Sequence, residues 1–181
     1  MPLQIPSDVG PLEFTAAGAL RVPGPLSAPG TARTTAAAGA AITAPANDTN
    51  ENTLVSVTIP GGSLGPNGWI EVLATWSFTG STNAKNMRVK YGGTTFNNRA
   101  VSTAANISLQ VLAVIRNRGL TNSQFSMGGT GADGVGTSNN APSTGNIDST
   151  ADQILLITAQ KATGSETLTL EGYSIRTTYA A

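Results

Sequence analysis

Beyond residue 50 the chain alternates between apolar and polar positions. Val55, Val57 and Ile59 fall on one side, Ser56 and Thr58 on the other, and Pro60-Gly61-Gly62 closes the run. After the turn-forming stretch Ser63-Leu64-Gly65-Pro66-Asn67-Gly68, Ile70, Val72, Ala74, Trp76 and Phe78 share a face opposed by Glu71, Leu73, Thr75 and Ser77. Strict alternation of this length predicts a half-buried strand. Met87, Val89 and Tyr91 alternate with Arg88 and Lys90. Gly92-Gly93 then predicts a two-residue hairpin turn, because both positions of a primed turn need positive φ. Thr94–Phe96 begins the return strand.

Ile107, Leu109, Val111, Ala113 and Ile115 continue the two-residue period, with Leu112 and Val114 on the second face. That pattern predicts a strand covered on both sides there. Gln124–Met127 reads as a short strand and Ile154–Thr158 as a buried run. In the last strand Leu168 and Leu170 are out of phase with Tyr173 and Ile175, so one extra residue, a β-bulge, is expected at Glu171-Gly172. These add up to about eight strands with no helix, and each has one apolar face to bury. The expected fold is therefore all-β, an antiparallel β-sandwich or jelly roll over residues 51–181.

Residues 1–50 read differently. They hold seven of the ten prolines and one of the nine aromatic residues. Proline removes a backbone donor and fixes φ, which blocks helix and ladder alike. The expectation is an extended, Pro/Ala-rich arm without a core of its own. Large apolar residues recur along it as isolated beads: Leu3, Ile5, Val9, Leu12, Phe14, Leu20, Val22, Leu26 and Ile42. A solvated linker needs no such beads, so they are read as anchors that insert into another protein. Fully extended, fifty residues would reach ~165 Å.

Composition removes many kinds of chemistry. The chain has no Cys and no His, which excludes a disulfide framework, a thiolate nucleophile, a Ser-His-Asp triad and an imidazole metal site. Ten Lys+Arg balance ten Asp+Glu, and charged residues make up only 11%. A neutral chain of this kind lacks the basic footprint of a nucleic-acid binder. The start, Met1-Pro2-Leu3-Gln4, has no basic n-region or apolar core, so no secretory signal is expected. Its apolar runs are also far shorter than the ~20 residues that span a bilayer. Neither nucleic acid nor membrane is expected as a partner, and no cofactor or metal.

Gly129-Thr130-Gly131-Ala132-Asp133-Gly134 matches a dinucleotide-binding pattern in letters only, since no helix follows it to face a pyrophosphate. It is read as part of a long surface loop, Ser126–Gly145. Asp148 and Asp152, with Asp133, are candidate ligands for a hard cation, though they match no calcium-loop spacing, and solvated loop carboxylates are the plainer reading. Glu71 and Glu171 are the candidate carboxylate pair for glycoside hydrolysis, but no aromatic platform clusters beside either. The expectation is that the protein is not an enzyme. Arg88, Arg116 and Arg118 are candidates for a subunit interface, where a guanidinium fork pairs well with carboxylates.

Several stretches resemble a β-sandwich module of tailed-bacteriophage virion proteins found in head decoration and in fibre or tail appendages. They are Thr53–Pro60, Gly65-Pro66-Asn67-Gly68 with Trp69–Phe78, Arg88–Phe96, and Gly164–Tyr173. The resemblance covers roughly residues 50–181 and implies a structural role, a homotrimer and no catalytic residue. A compact domain with one bead-bearing arm fits a capsid decoration, or cement, protein on the outer surface of the capsid. In that expectation the arm staples neighbouring major capsid protein subunits. The alternative is a head or tail fibre or appendage protein that touches a host receptor or glycan through its sandwich loops.

Overall fold

The computed structural model describes residues 13–14, 20–21, 32–127 and 141–181. Among them the strands are β1 (Glu13–Phe14), β2 (Leu20–Arg21), β3 (Ala32–Ala38), β4 (Ile42–Thr43), β5 (Asn52–Ile59), β6 (Trp69–Phe78) and β7 (Lys85–Tyr91). They continue with β8 (Thr94–Val101), β9 (Ser108–Asn117), β10 (Gln124–Ser126), β11 (Ser143–Gly145), β12 (Gln153–Lys161) and β13 (Leu168–Thr178). β1 and β2 pair only with each other. The rest form two antiparallel sheets. One is seven-stranded, in the order β11-β10-β9-β6-β13-β3, with β4 also on β13; the other is four-stranded, β5-β12-β7-β8. The expected all-β sandwich is what the chain forms.

The two-residue period explains the core. Ile70, Val72, Ala74, Trp76 and Phe78 of β6 point inward beside Val111, Ala113 and Ile115 of β9 and Leu168, Leu170 and Ile175 of β13. The four-stranded sheet meets them with Val55, Ile59, Met87, Val89, Tyr91, Leu155, Ile157 and Ala159. Gly92 and Gly93 have φ of 53° and 81°, the positive pair the β7–β8 hairpin requires. The β13–β6 register slips between Leu170 and Gly172, so the bulge inferred from the phase change is present. Beyond it Tyr173 and Ile175 regain their places against the core.

Three particulars differ from the pattern reading. Ile154 is exposed while Leu155 and Ile157 are buried, because β12 alternates rather than burying the whole run. Ile107 precedes β9 and is 65% exposed, outside the core, while its carbonyl accepts from Phe78 N–H at 2.9 Å. Leu112 is 36% exposed, so among the described residues no second layer covers that face of β9.

The seven-stranded sheet also starts upstream of residue 50. β3 pairs with β13 from Tyr173↔Ala38 to Thr178↔Ala32, and β4 pairs Ile42 with Leu170. Ala44 is buried, its N–H bonded to Leu168 C=O at 2.9 Å. Ala36 and Ile42 pack against the core. β3 and β4 are thus one edge strand interrupted around Gly39, and Ile42 is an internal contact of the sandwich.

Two truncations test this. Removing residues 1–31 leaves every described contact of the sandwich and should keep the thermal midpoint within about 2 °C of the full chain. Removing residues 1–50 strips β3, β4 and Ala44, uncovering apolar surface worth about 3 kcal/mol, and should lower the midpoint by on the order of 10 °C. Differential scanning calorimetry of both variants reads the difference.

Candidate functional site

Seven carboxylates lie among residues with described side chains, and each is held by a neighbour in its own chain. Asp48 Oδ1 accepts from Asn50 N–H at 2.8 Å and its Oδ2 from Asn52 Nδ2 at 3.1 Å, which holds its pKa below the usual value. Asp148 Oδ1 accepts from the backbone and hydroxyl of Thr150 at 2.9 and 2.6 Å, with the same effect. Asp152 Oδ1 accepts from Gly61 N–H at 2.8 Å. The Asp148 carboxylate therefore closes a local turn and that of Asp152 ties its segment to the turn after β5, and no group of three His, Cys, Asp or Glu able to hold a metal occurs among the described residues. Asp133 and the Gly129–Gly134 motif lie outside the described residues.

Glu71 faces Arg176 at 3.8 Å, and Glu171 accepts from Ser77 Oγ at the bulge. Since Glu71 sits opposite Arg176 in the ladder, the two glutamates stand about 15 Å apart along β13, beyond the separation that flanks a glycosidic bond.

Two lysines occupy inward positions of their strands at one end of the sandwich. Lys161 is 1% exposed and donates to the carbonyls of Pro45, Gly164 and Glu166 at 2.8, 3.1 and 2.9 Å. Lys85, equally buried, donates to Ser81 Oγ and Asn83 C=O and pairs with Glu166 at 2.8 Å. Three donors on each ammonium meet three acceptors, the condition under which a buried cation is tolerated. Lys85, with Ser81 and Asn83, holds the Glu166 carboxyl down to about 2. Nothing in the pattern reading singled out these lysines, although each shares the inward parity of its strand.

The opposite end is closed by neutral groups. Asn117 Nδ2 donates to Gly65 C=O at 2.6 Å and to Ser149 Oγ at 3.0 Å. Gln124 Nε2 donates to Asn117 Oδ1 at 2.9 Å and to Ile147 C=O at 2.9 Å, while Gln124 Oε1 accepts from Ile147 N–H at 2.7 Å. This buried network pins β10, and with it Phe125, to the end of β9.

The three interface candidates separate. Arg88 lies on the outer face of the four-stranded sheet and is occupied within the chain, with Glu51 at 3.4 Å and Gln160 Oε1 at 2.9 Å. Burial alone would raise the Glu51 pKa, but Lys90, Thr158 and Arg88 outweigh it and lower it. Arg116 and Arg118 are on the outer face of the seven-stranded sheet. Arg116 stacks over Trp69 at 4.7 Å and Arg118 over Phe125 at 4.6 Å. The ladder sets Phe125, Arg116 and Trp69 side by side on β10, β9 and β6. Each guanidinium is thereby oriented by a ring beneath it, and neither forms an ion pair among the described residues. Val114, Leu73 and the exposed Leu112 continue the face, and Met127 stands 44% exposed just past β10.

Of the arm beads, Ile42 is half-buried in the sandwich, while Phe14 and Leu20 pair in the β1–β2 ladder. Leu3, Ile5, Val9, Leu12, Val22 and Leu26 lie outside the described residues.

No protein-family model matches the chain, and no curated protein sequence does. Among solved structures, the CBM2 module of the evolved Dit of Lactobacillus casei BL23 phage J-1 matches at a TM-score of 0.32 and 10% identity, over 67% of each chain. The infectious bursal disease virus Gx strain structure matches at 0.33 and 14%, over 94% of this chain and 46% of that one. Latent PorU from Porphyromonas gingivalis matches at 0.37 and 10%, over 83% of this chain and 14% of that one. The chain thus spans about half or less of the last two proteins, and at these TM-scores none of the three carries an argument about function.

The Lys85–Glu166 pair makes a prediction with a definite sign. Its carboxyl titrates lower folded than unfolded, from 4.5 to about 2. The stabilisation is therefore whole above pH 4.5 and lost as pH falls toward 2. Glu166→Gln should flatten the decline in stability between those pH values relative to the parent chain, measured by urea unfolding at successive pH.

Proposed function

We propose that this chain is a non-enzymatic structural protein of a tailed-phage virion, which works by contact and not by turnover. The observation that carries the reading is where the uncommitted chemistry sits. The described carboxylates are engaged within the chain, whereas two ring-stacked guanidiniums stand with Leu112 and Met127 on an open sheet face. Arg with aromatic and Met side chains is the composition of contact surfaces. The resemblance of the strand-and-turn stretches to phage virion modules supplies the setting.

Of the two virion roles, the appendage that touches a host receptor or glycan is the better supported. The long loop within Ser126–Gly145 joins β10 to β11 in sequence, and Phe125 and Met127 stand beside its start on the described part of the sheet. The capsid decoration role, with a trimer stapling major capsid subunits on the outer surface, relies on the residues before Ala32. That reach shortens to about 100 Å once β3 and Ile42 belong to the sandwich.

The discriminating experiment compares two variants on intact particles and host cells. Replacing residues 128–140 by a Gly/Ser stretch should abolish adsorption of the purified protein to host cells, while removing residues 1–31 should leave adsorption unchanged. The opposite pattern, with capsid occupancy lost on removing 1–31 and adsorption indifferent to the loop, returns the decoration role. Absence of the chain from purified virions by mass spectrometry would overturn both.

A further inference from the structure

The outer face of the seven-stranded sheet carries both signs of charge around an apolar centre. Arg118 and the row Phe125, Arg116, Trp69 mark one end. Next come Val114, Glu71 and Arg176 abreast, then Leu112, Leu73 and Ser174. Toward the other end Gln110 and Thr75 pair, with exposed Glu171 at the bulge on β13, whose Oε1 accepts from Ser77 Oγ while its Oε2 has no partner among the described residues. Arg116 and Glu171 are thus separated by about 20 Å along the strands.

We propose that this face is an interface between copies of the chain, in which Leu73 and Leu112 of two copies pack together and Arg116 and Arg118 of one meet Glu171 of the other. The inference rests on the assembled, contact-making role proposed above and names the partner for this surface. Four observations select a second copy. A two-fold axis crossing the strands near Leu73 exchanges the two ends of the face, which sets the guanidinium end against the Glu171 end. The three long strands β9, β6 and β13, with the shorter β3, β4, β10 and β11 flanking them about 4.8 Å apart, present about 700 Å² per copy, close to the ~800 Å² that stable interfaces bury on each side. Zero formal net charge means that identical copies meet without overall repulsion. Other occupants fit less well: a polyanion favours a face of one sign, and a sugar ring needs an aromatic face that Arg116 and Arg118 already cover.

Light scattering on the full chain at concentrations from 1 to ~200 μM, spanning common affinities, tests the proposal. The parent chain is expected to run as an oligomer. The Arg116→Glu, Arg118→Glu double variant should weaken assembly by roughly 100-fold, as losses of interfacial charge pairs do. Glu171→Arg alone should weaken it similarly, and combining all three should restore it. Circular dichroism confirms that each variant is folded. A monomeric parent over the whole range, or an oligomer whose mass ignores the charge reversals, overturns the interface. Detection of the chain in purified virions is a separate measurement, so the virion role stands or falls independently of this outcome.

Discussion

A sandwich has two open ends where the chain must cross between sheets and its carbonyls leave the ladder. Each such group needs a donor if it is buried. Here one end is tied by ammonium groups and the other by carboxamides. Lys161 alone takes the carbonyls of Pro45, Gly164 and Glu166, which joins the approach to β5 to the β12–β13 turn. Lys85 and Glu166 add the β6–β7 loop to the same knot. At the far end Asn117, Gln124 and Ser149 join the β5–β6 loop to the segments flanking β10 and the residues before β12. The positions of β10, Phe125 and the stacked guanidiniums follow from that second knot. Loss of one donor in either would leave buried or partly buried acceptors without their partner.

Much of the fold is written in the alternation of β6, β7, β9 and β13, where bulky apolar residues recur every second position. Even the bulge at Glu171 leaves a trace, because it shifts the phase of Tyr173 and Ile175. β3 leaves none. Its sequence, Ala-Arg-Thr-Thr-Ala-Ala-Ala, holds no large apolar side chain whose spacing reveals a face. Its conformation comes from the vacant edge of β13, a partner nearly 140 residues away, so local pattern could not separate it from the proline-rich stretch before it.

The surface chemistry was partly legible. Arg116 and Arg118 stand out at the end of a strand, but their ring partners come from two other strands and emerge only with the register. Trp69 offers a hint, being out of phase with the core set that begins at Ile70. The lysines are the reverse case. Lys85 is in phase with Met87 and Val89, and Lys161 with Ile157 and Ala159, so parity places both inside. What the sequence hides is the cluster of carbonyls that makes a charge acceptable there.

The chain's only two tryptophans sit seven residues apart on β6 with opposite parity. Trp76 lies in the core with its indole N–H unpartnered among the described residues, and Trp69 lies outside beneath a guanidinium. One strand therefore holds a built-in pair of optical reporters about 23 Å apart. Emission from the inner indole changes only when the two sheets part, whereas the outer one senses whatever comes to rest on the surface. Melting and surface coverage thus have separate spectral signatures in the unlabelled protein.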